Sequence, residues 1–242
     1  MSGSKETINL LGVLLKSEFF AVIKGFCGVS VAKYWLTGVL PAFRDGISPL
    51  TATRVISFSE RYHSLCGLMQ EDVNAIVERA LPESKRASTL DSLKRWYNGY
   101  IFSPTSSSSE IPTLYNPQLV FVHLQNVISN QAPPSYVDEA NAVHTATVLS
   151  VVGKTGSVTI SDLIDMLYSK ANVSILNELS FLELIQEQEM RPKAVTWSLL
   201  YYLGIVTYSK DSCCLVGKHI LHVPNTTMVH LVSPRTSCLG WH

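Results

Sequence analysis

Apolar residues recur every three or four positions along much of this chain, which is the spacing of one face of an α-helix. Most of the regular structure should therefore be helical. The spacing predicts helices over residues 8–24, 71–81, 88–97, 117–129, 137–152, 161–168, 176–185 and 194–203.

Two stretches depart from the helical spacing. Residues 29–36 are a near-continuous apolar run, which predicts a strand covered on both faces, as in a parallel sheet. Residues 205–208 and 214–223 flank a polar turn and predict an antiparallel hairpin. The chain is therefore predicted to be an α/β protein that is mostly helical. Part of a parallel sheet should lie near its start, and a winged-helix-like unit of helix plus hairpin near its end.

The most distinctive stretch follows the predicted helix 88–97. Gly99 should end that helix, because Gly adopts a positive φ at a helix C-terminus without steric cost. Pro117 should lie in the first turn of the next helix, where a missing N–H loses no hydrogen bond. We name the residues that clamp these two helices the aromatic corner, and we expect an architectural role for them: Trp96, Tyr97, Gly99, Tyr100, Phe102, Tyr115, Asn116 and Pro117.

The composition fits a folded protein without a dedicated nucleic-acid surface. Of the 242 residues, 46% are hydrophobic and 16% are charged, which is ample core material for one large or two small domains. Lys plus Arg and Asp plus Glu number 19 each, so the formal net charge is zero. Surfaces that bind nucleic acids usually carry a clustered basic excess. Nucleic-acid binding is therefore not expected.

Neither a membrane span nor a secretory signal is expected. Lys16 and Glu18 separate the longest apolar stretches, which fall short of the roughly 20 residues that a span needs. The five Cys residues form no C-x-x-C pair, which favours reduced, mostly buried thiols over a metal site. These features predict a soluble intracellular protein.

The aromatic corner resembles the W-Y-x-G-Y-x-F…Y-N-P signature of the AAA-ATPase-like family, P-loop proteins often fused to a PD-(D/E)XK-type nuclease. Further segments are similar to this family in the same order, with Met69 where Thr is usual. They are residues 36–41 (LTGVLP), 65–73 (LCGLMQEDV), 198–207 (SLLYYLGIVT) and 223–225 (VPN). The resemblance spans residues 8–232.

The resemblance implies the last part of a P-loop core sheet, followed by a helical lid. The implied domains are residues 1–84 for the core remnant, 85–132 for the lid, 133–232 for a C-terminal helical and hairpin subdomain, and 233–242 for a tail. The family's phosphate loop and its Asp-Glu strand have no counterpart in the sequence. The chain is therefore expected to be a fragment or a degenerate member of the family.

The segment most similar to a phosphate-binding loop is residues 148–155, where Val148 replaces the first Gly of the Gly-x-x-x-x-Gly-Lys-Ser/Thr pattern. This segment also follows the lid motifs, whereas the family's loop precedes them. Gly153-Lys154-Thr155 is accordingly predicted to be a polar turn. No cofactor is expected in this chain, and ATP with Mg²⁺ would bind only if the missing segment were supplied.

Three residues are candidates for contact with a nucleotide by this resemblance. Thr37 follows the predicted strand at its carboxyl end, where α/β sheets bind ligands, and could sense the terminal phosphate. The alternative is a Thr-Gly turn whose hydroxyl bonds to the backbone. Lys94 and Arg95 could form a second phosphate sensor from the lid, and the alternative is a solvated helix face.

No catalytic residue and no metal ligand is predicted, because neither a Gly-x-Ser-x-Gly elbow nor a strand-borne Asp with Glu-x-Lys occurs. Two functions stay open. One is an AAA-ATPase-like domain with ATP binding and hydrolysis implied by the family. The other is a non-catalytic scaffold or protein-interaction module on the same fold. A protein partner or self-association is expected along the sheet edge at residues 29–39.

Overall fold

The structure is a computed structural model that is mostly helical over the residues it describes. It forms two compact units, one of residues 1–55 with 177–186 and one of residues 56–176 with 187–242. The second unit contains all the strands described, which form one antiparallel sheet. The described residues are 10, 14–38, 54, 56–104, 111–131, 152, 157–168, 171–176, 179, 191–210 and 219–232.

Helical backbone dominates the first unit. A π-helical segment, Leu15–Phe20, continues into helix α1, Ala21–Phe26, in agreement with the helix predicted over residues 8–24. The predicted apolar side is not covered by the described residues. Three of its side chains are about half exposed, namely Leu14, Phe19 and Val22.

The strand predicted over residues 29–36 is wrong. Gly28, with φ +84°, starts a tight turn in which the N–H of Val31 donates to the carbonyl of Phe26 at 2.9 Å. A single bridge joins Val31 to Cys27, and residues 33–38 have no regular structure. The turn leads the chain back on itself, so the apolar run does not extend along a neighbouring strand. The expected sheet edge is therefore absent from the described residues of this stretch.

The second unit begins with a 3₁₀ helix, Glu60–Cys66, followed by three packed helices: α2, Gln70–Ala80; α3, Glu83–Tyr97; and α4, Pro117–Ile128. Each helix contributes apolar side chains to a shared core. The buried members of this core are Val73, Val77, Leu81, Leu93, Tyr97, Tyr115, Val120 and Leu124.

The sequence predicted these helices with one boundary error. Helix α4 begins as expected, because the Asn116 side chain accepts a hydrogen bond from the N–H of Leu119 at 3.2 Å. Helix α3 begins five residues earlier than predicted, at Glu83 rather than at Ser88. Pro82 caps it with φ −63° and ψ 152°, an extended conformation that proline favours just before a helix.

The C-terminal half of the second unit alternates helices and short strands. In chain order it contains α5, Ile160–Tyr168; β1, Ala171–Val173; α6, Lys193–Tyr202; β2, Thr207–Tyr208; β3, His219–His222; and α7, Thr226–Val232. The sheet order is β1-β3-β2, with both pairs antiparallel. The predicted hairpin is thus confirmed in the pairing of β2 with β3, and β1 and α7 were not predicted.

The cap of α5 is Thr159, directly before the first helical residue, Ile160. The Thr159 hydroxyl accepts a hydrogen bond from the N–H of Asp162 at 3.3 Å, and the Asp162 carboxylate accepts one from the N–H of Thr159 at 2.7 Å. This reciprocal pair is a capping box. Ser161 is therefore inside the helix.

Several predictions concern residues outside the described part of the chain. They are the helix over 137–152 except Val152, the polar turn Gly153-Lys154-Thr155, the helix over 176–185 except Leu176 and Leu179, the hairpin residues 211–218, and the tail 233–242.

Candidate functional site

The aromatic corner forms where helix α3 ends. Trp96 stacks on His230 of α7, with ring centroids 5.3 Å apart and an interplanar angle of 16°. The carbonyl of Trp96 also accepts a hydrogen bond from the Thr227 hydroxyl at 2.7 Å. These contacts fix the last turn of α3 against α7. The predicted end of the helix at Asn98 is confirmed.

Gly99 turns the chain away from α3 in a conformation that glycine tolerates best. Its φ is +113°, and its N–H donates to the side-chain oxygen of Asn98 at 2.7 Å. The carbonyl of Pro224 lies directly against its Cα, in the position that a Cβ would occupy. The VPN segment is therefore in contact with the centre of the corner.

Two isolated antiparallel bridges connect the corner to its flanking segments. Tyr100 pairs with Leu114, with hydrogen bonds of 3.2 and 2.9 Å, and Tyr115 pairs with Leu68, with bonds of 2.9 and 3.2 Å. The Tyr115 hydroxyl donates to the Gln70 side chain at 2.6 Å. These hydrogen bonds hold the segment before α2 against the segment before α4.

Thr207 attaches the corner to strand β2. Its hydroxyl oxygen accepts a hydrogen bond from the N–H of Ile101 at 2.7 Å and donates to the carbonyl of Ile101 at 2.7 Å. Thr207 and Ile101 are both buried. One step further along, the Tyr201 hydroxyl donates to the carbonyl of Phe102 at 2.9 Å. Side chains thereby satisfy backbone groups that no regular sheet pairs.

His63 closes the other side of the corner. Its Nδ1 accepts a hydrogen bond from the N–H of Phe102 at 3.2 Å, so its Nε2 carries the proton that is donated to the carbonyl of Pro112 at 2.9 Å. Desolvation by burial lowers the pKa of His63, against opposing effects of the Pro112 hydrogen bond and the charge of Glu60. The geometry therefore suits a neutral imidazole.

A cluster of aromatic rings covers the corner from α6 and β2. The Tyr201 ring stacks on Phe58 at 5.8 Å and 16°, and it contacts Tyr202 and Tyr208 at centroid distances of 5.2 and 4.9 Å. Burial raises the pKa of Tyr201 well above its usual value. Burial likewise raises the pKa of Tyr100 to about 12, with a smaller opposite effect of the Asn225 side chain. These phenols stay protonated at neutral pH, so the cluster is suited to packing and hydrogen bonding.

The three candidates for nucleotide contact are in different units. Thr37 is exposed in the first unit, within residues 33–38, and does not follow a strand. Lys94 and Arg95 are exposed in the last turn of α3, in the second unit. Their exposure agrees with a solvated helix face, and it also leaves both side chains accessible to an anion.

Sequence reasoning missed His63, Thr207 and Pro224 as elements of this site. His63 bonds to residues 39 and 49 positions away, and Thr207 bonds to a residue 106 positions away. Local periodicity carries no information about pairs so distant in the chain. The one available signal was the grouping of Thr207 and Pro224 within the segments that resemble the AAA-ATPase-like family.

Among the described residues, no three His, Cys, Asp or Glu side chains are grouped in a way that could hold a metal ion. Cys27 and Cys66 are free thiols, and Cys66 is exposed rather than buried. Within the described ranges, no helix combines the length and apolar character that crossing a bilayer would require. No protein-family model matches the chain, and neither a curated protein nor a solved structure does.

Proposed function

We propose that this chain is the helical lid and C-terminal part of an AAA-ATPase-like protein. The observation that carries the proposal is the meeting of separately matched segments at one place. The aromatic corner contacts the LCGL segment through Leu68, the LLYYLGIVT segment through Thr207, and the VPN segment through Pro224. These segments pack together in the second unit, as the segments of one family signature would, and this agreement is what favours the proposal.

We also propose a winged-helix-like arrangement for the C-terminal elements. A winged-helix unit has a first strand that pairs with the last strand of a following hairpin. Here β1 precedes α6 and pairs with β3, whose other neighbour is β2. The residues Val195 to Tyr201 of α6 are all buried, so this helix does not present a face to a DNA groove. We therefore assign the unit a packing role.

In the proposed AAA-ATPase-like protein, the aromatic corner would act as a rigid joint between helix α3 and helix α7. The last turn of α3 is held by α7, by the Pro224 carbonyl and by the bridge between Tyr100 and Leu114. A joint fixed at three points would present Lys94 and Arg95 in a defined direction. The two cations would then contact the phosphates of a nucleotide held by a P-loop segment, which the printed sequence does not contain.

Calorimetric titration with Mg-ATP tests this proposal. The 242-residue chain should not bind Mg-ATP with micromolar affinity, because its sequence contains no Gly-x-x-x-x-Gly-Lys-Ser/Thr loop. A version extended by the coding sequence immediately upstream should bind, and Lys94→Ala/Arg95→Ala should weaken that binding. Arg79→Ala, on an exposed position of α2, is the matched control. Micromolar binding by the printed chain alone would contradict the proposal.

A second candidate function is a non-catalytic protein-interaction scaffold. It is favoured by large apolar side chains that are exposed in the first unit, including Phe26 at 52% and Trp35 at 60%. Such side chains mark interaction surfaces when they are contiguous. Sedimentation of the purified chain distinguishes this candidate. Concentration-dependent association that Phe26→Ser and Trp35→Ser abolish, with no ATP binding by either version, would favour the scaffold.

A further inference from the structure

A cavity of about 340 Å³ lies between helices α3 and α4 of the second unit, away from the aromatic corner contacts of Gly99 and Thr207. Its volume is at the lower end of the range for small-molecule sites. Seven of its eight lining residues have polar side chains. The lining residues are Lys85, Ser88, Thr89, Ser92, His123, Val127, Asn130 and Gln131.

The lining has the chemistry of an anion site. Two hydroxyl groups, of Thr89 and Ser92, two side-chain amides and one ammonium group can donate hydrogen bonds into it. The third hydroxyl, of Ser88, donates to the carbonyl of Lys85 at 3.2 Å. Among the described residues that line the cavity, Lys85 is the one with a formal charge, and none is a carboxylate. A ligand that carries negative charge on several oxygens would satisfy more of these groups than a neutral or cationic one.

Lys85 is held in position rather than free in solvent. Its ammonium group donates to the Asn130 side-chain oxygen at 2.7 Å and to the Val127 carbonyl at 3.4 Å. Asn130 itself has a positive φ of 51°, and both Asn130 and Gln131 line the cavity. These two contacts use part of the donor capacity of an ammonium group, which has three N–H bonds.

The rear wall of the cavity is buried. Thr89 and His123 are 5% and 3% exposed, and the Nδ1 atom of His123 lies 3.4 Å from the Tyr97 hydroxyl. Desolvation by burial lowers the pKa of His123. When the Tyr97 hydroxyl donates to Nδ1, the proton of the neutral imidazole is on Nε2, which becomes a further donor.

One feature of the cavity opposes an anion. It lies at the C-terminal end of α4, where free carbonyl groups carry partial negative charge. Three of the last four carbonyls of α4 accept hydrogen bonds here. The N–H of Ser129 donates to Gln125, and the N–H of Gln131 donates to Asn126, at 2.9 and 3.0 Å, while Lys85 contacts Val127. The local charge at the cavity is therefore set mainly by Lys85.

We propose that this cavity binds a small phosphate-bearing molecule, with Lys85 as the charged contact and Ser92 as a hydroxyl donor. Ser88 and Ser92 are one helical turn apart and follow Lys85 by three and seven residues, so all three occupy one side of α3. The cavity volume leaves room for a group attached to the phosphate. The site is independent of the proposed nucleotide contact at Lys94 and Arg95.

Calorimetry with inorganic phosphate and with glycerol 3-phosphate tests the site in the printed chain. Both probes should bind, and glycerol should not. Lys85→Gln should weaken binding at least about tenfold, since a hydrogen bond between two charged groups is roughly twice as strong as one between neutral groups. Arg79→Gln, which removes an exposed cation elsewhere, should leave binding unchanged. Equal binding of phosphate by both variants, or binding of glycerol alone, would overturn the proposal.

A second variant separates loss of the site from loss of the fold, because Lys85 also contacts the end of α4. Ser92→Leu should fill the cavity and abolish phosphate binding without removing the Lys85 contacts. Ser84→Leu, at an exposed position of the same helix, is its matched control. Phosphate should also shift the imidazole NMR signals of His123, assigned with His123→Gln. Unchanged binding by a folded Ser92→Leu protein would overturn the proposal.

Discussion

The carbonyl oxygen of Pro224 occupies the place where a side chain of Gly99 would begin. Gly99 also has a φ of +113°, which residues with a Cβ rarely adopt. Glycine is therefore required here for two independent reasons, one conformational and one steric. The contact joins residues 125 positions apart in the chain, so the end of α3 and the start of α7 depend on each other.

Gly99→Ala should destabilise the second unit by more than about 2 kcal/mol, because the added methyl group meets backbone rather than a movable side chain. Urea unfolding followed by Trp fluorescence measures the loss. Gly204→Ala is the matched control. Gly204 also has a positive φ, of +75°, but a Cβ there would lie 3.6 Å from the Tyr100 ring, an ordinary contact. Its expected loss is about 1 kcal/mol. Equal losses in the two variants would show that the Pro224 contact is unimportant.

Thr207→Val should destabilise the protein by about 1–3 kcal/mol, although valine has nearly the same shape. The hydroxyl of Thr207 satisfies both the N–H and the carbonyl of Ile101, and removing it leaves a buried backbone N–H without an acceptor. Thr207→Ser keeps the hydroxyl and should retain most of the stability. Differential scanning calorimetry of the three proteins provides the comparison. A serine variant as unstable as the valine variant would point to packing of the methyl group instead.

Tyr100 should make the protein sensitive to alkaline pH. Burial raises its pKa from 10.0 to about 12, so the folded state keeps a proton that the unfolded state releases above pH 10. The stability is fully present below pH 10 and is lost as the pH rises toward 12, by up to about 1.4 kcal/mol per pH unit. Urea unfolding at pH 8, 10 and 11 measures this loss.

Tyr100→Phe is the informative variant for that measurement. It should be less stable near neutral pH, because it loses its polar contact with Asn225, but its stability should fall less steeply above pH 10. Tyr168→Phe, at a tyrosine that is 72% exposed, controls for the loss of one phenol. An alkaline slope that Tyr100→Phe leaves unchanged would rule out Tyr100 as its source.

The helices of the second unit could be predicted from sequence because their signals are local. The spacing of Val73 and Val77 defines the buried face of α2, and Pro117 with Asn116 marks the start of α4. The apolar run at residues 29–36 was misread because a strand requires a partner, which the run itself does not reveal. A glycine before such a run can reverse the chain, and the turn at Gly28 continues into the run itself as far as Val31.

The site was less predictable than the fold because its hydrogen bonds join residues that are far apart in the sequence. Its aromatic residues were recognised as a group, but their partners His63, Thr207 and Pro224 were not. A threonine that bonds to the backbone of a distant segment has the same local pattern as any threonine in a short strand. Only the three-dimensional arrangement distinguishes them.

His63 should make the protein sensitive to acid. Burial lowers its pKa below the usual 6.5, so the unfolded state binds a proton more readily than the folded state. The stability is present above pH 6.5 and is lost as the pH falls through the lower pKa of the folded state. Protonation also removes the acceptor at Nδ1, which leaves the N–H of Phe102 without its hydrogen bond.

His63→Gln can offer one acceptor and one donor without titrating in this range, so it should flatten the dependence of stability on pH between 7.5 and 5.5. Urea unfolding of both proteins at several pH values in that interval measures the difference, and parallel curves would mean that other groups, such as His123 and His219, carry the acid sensitivity.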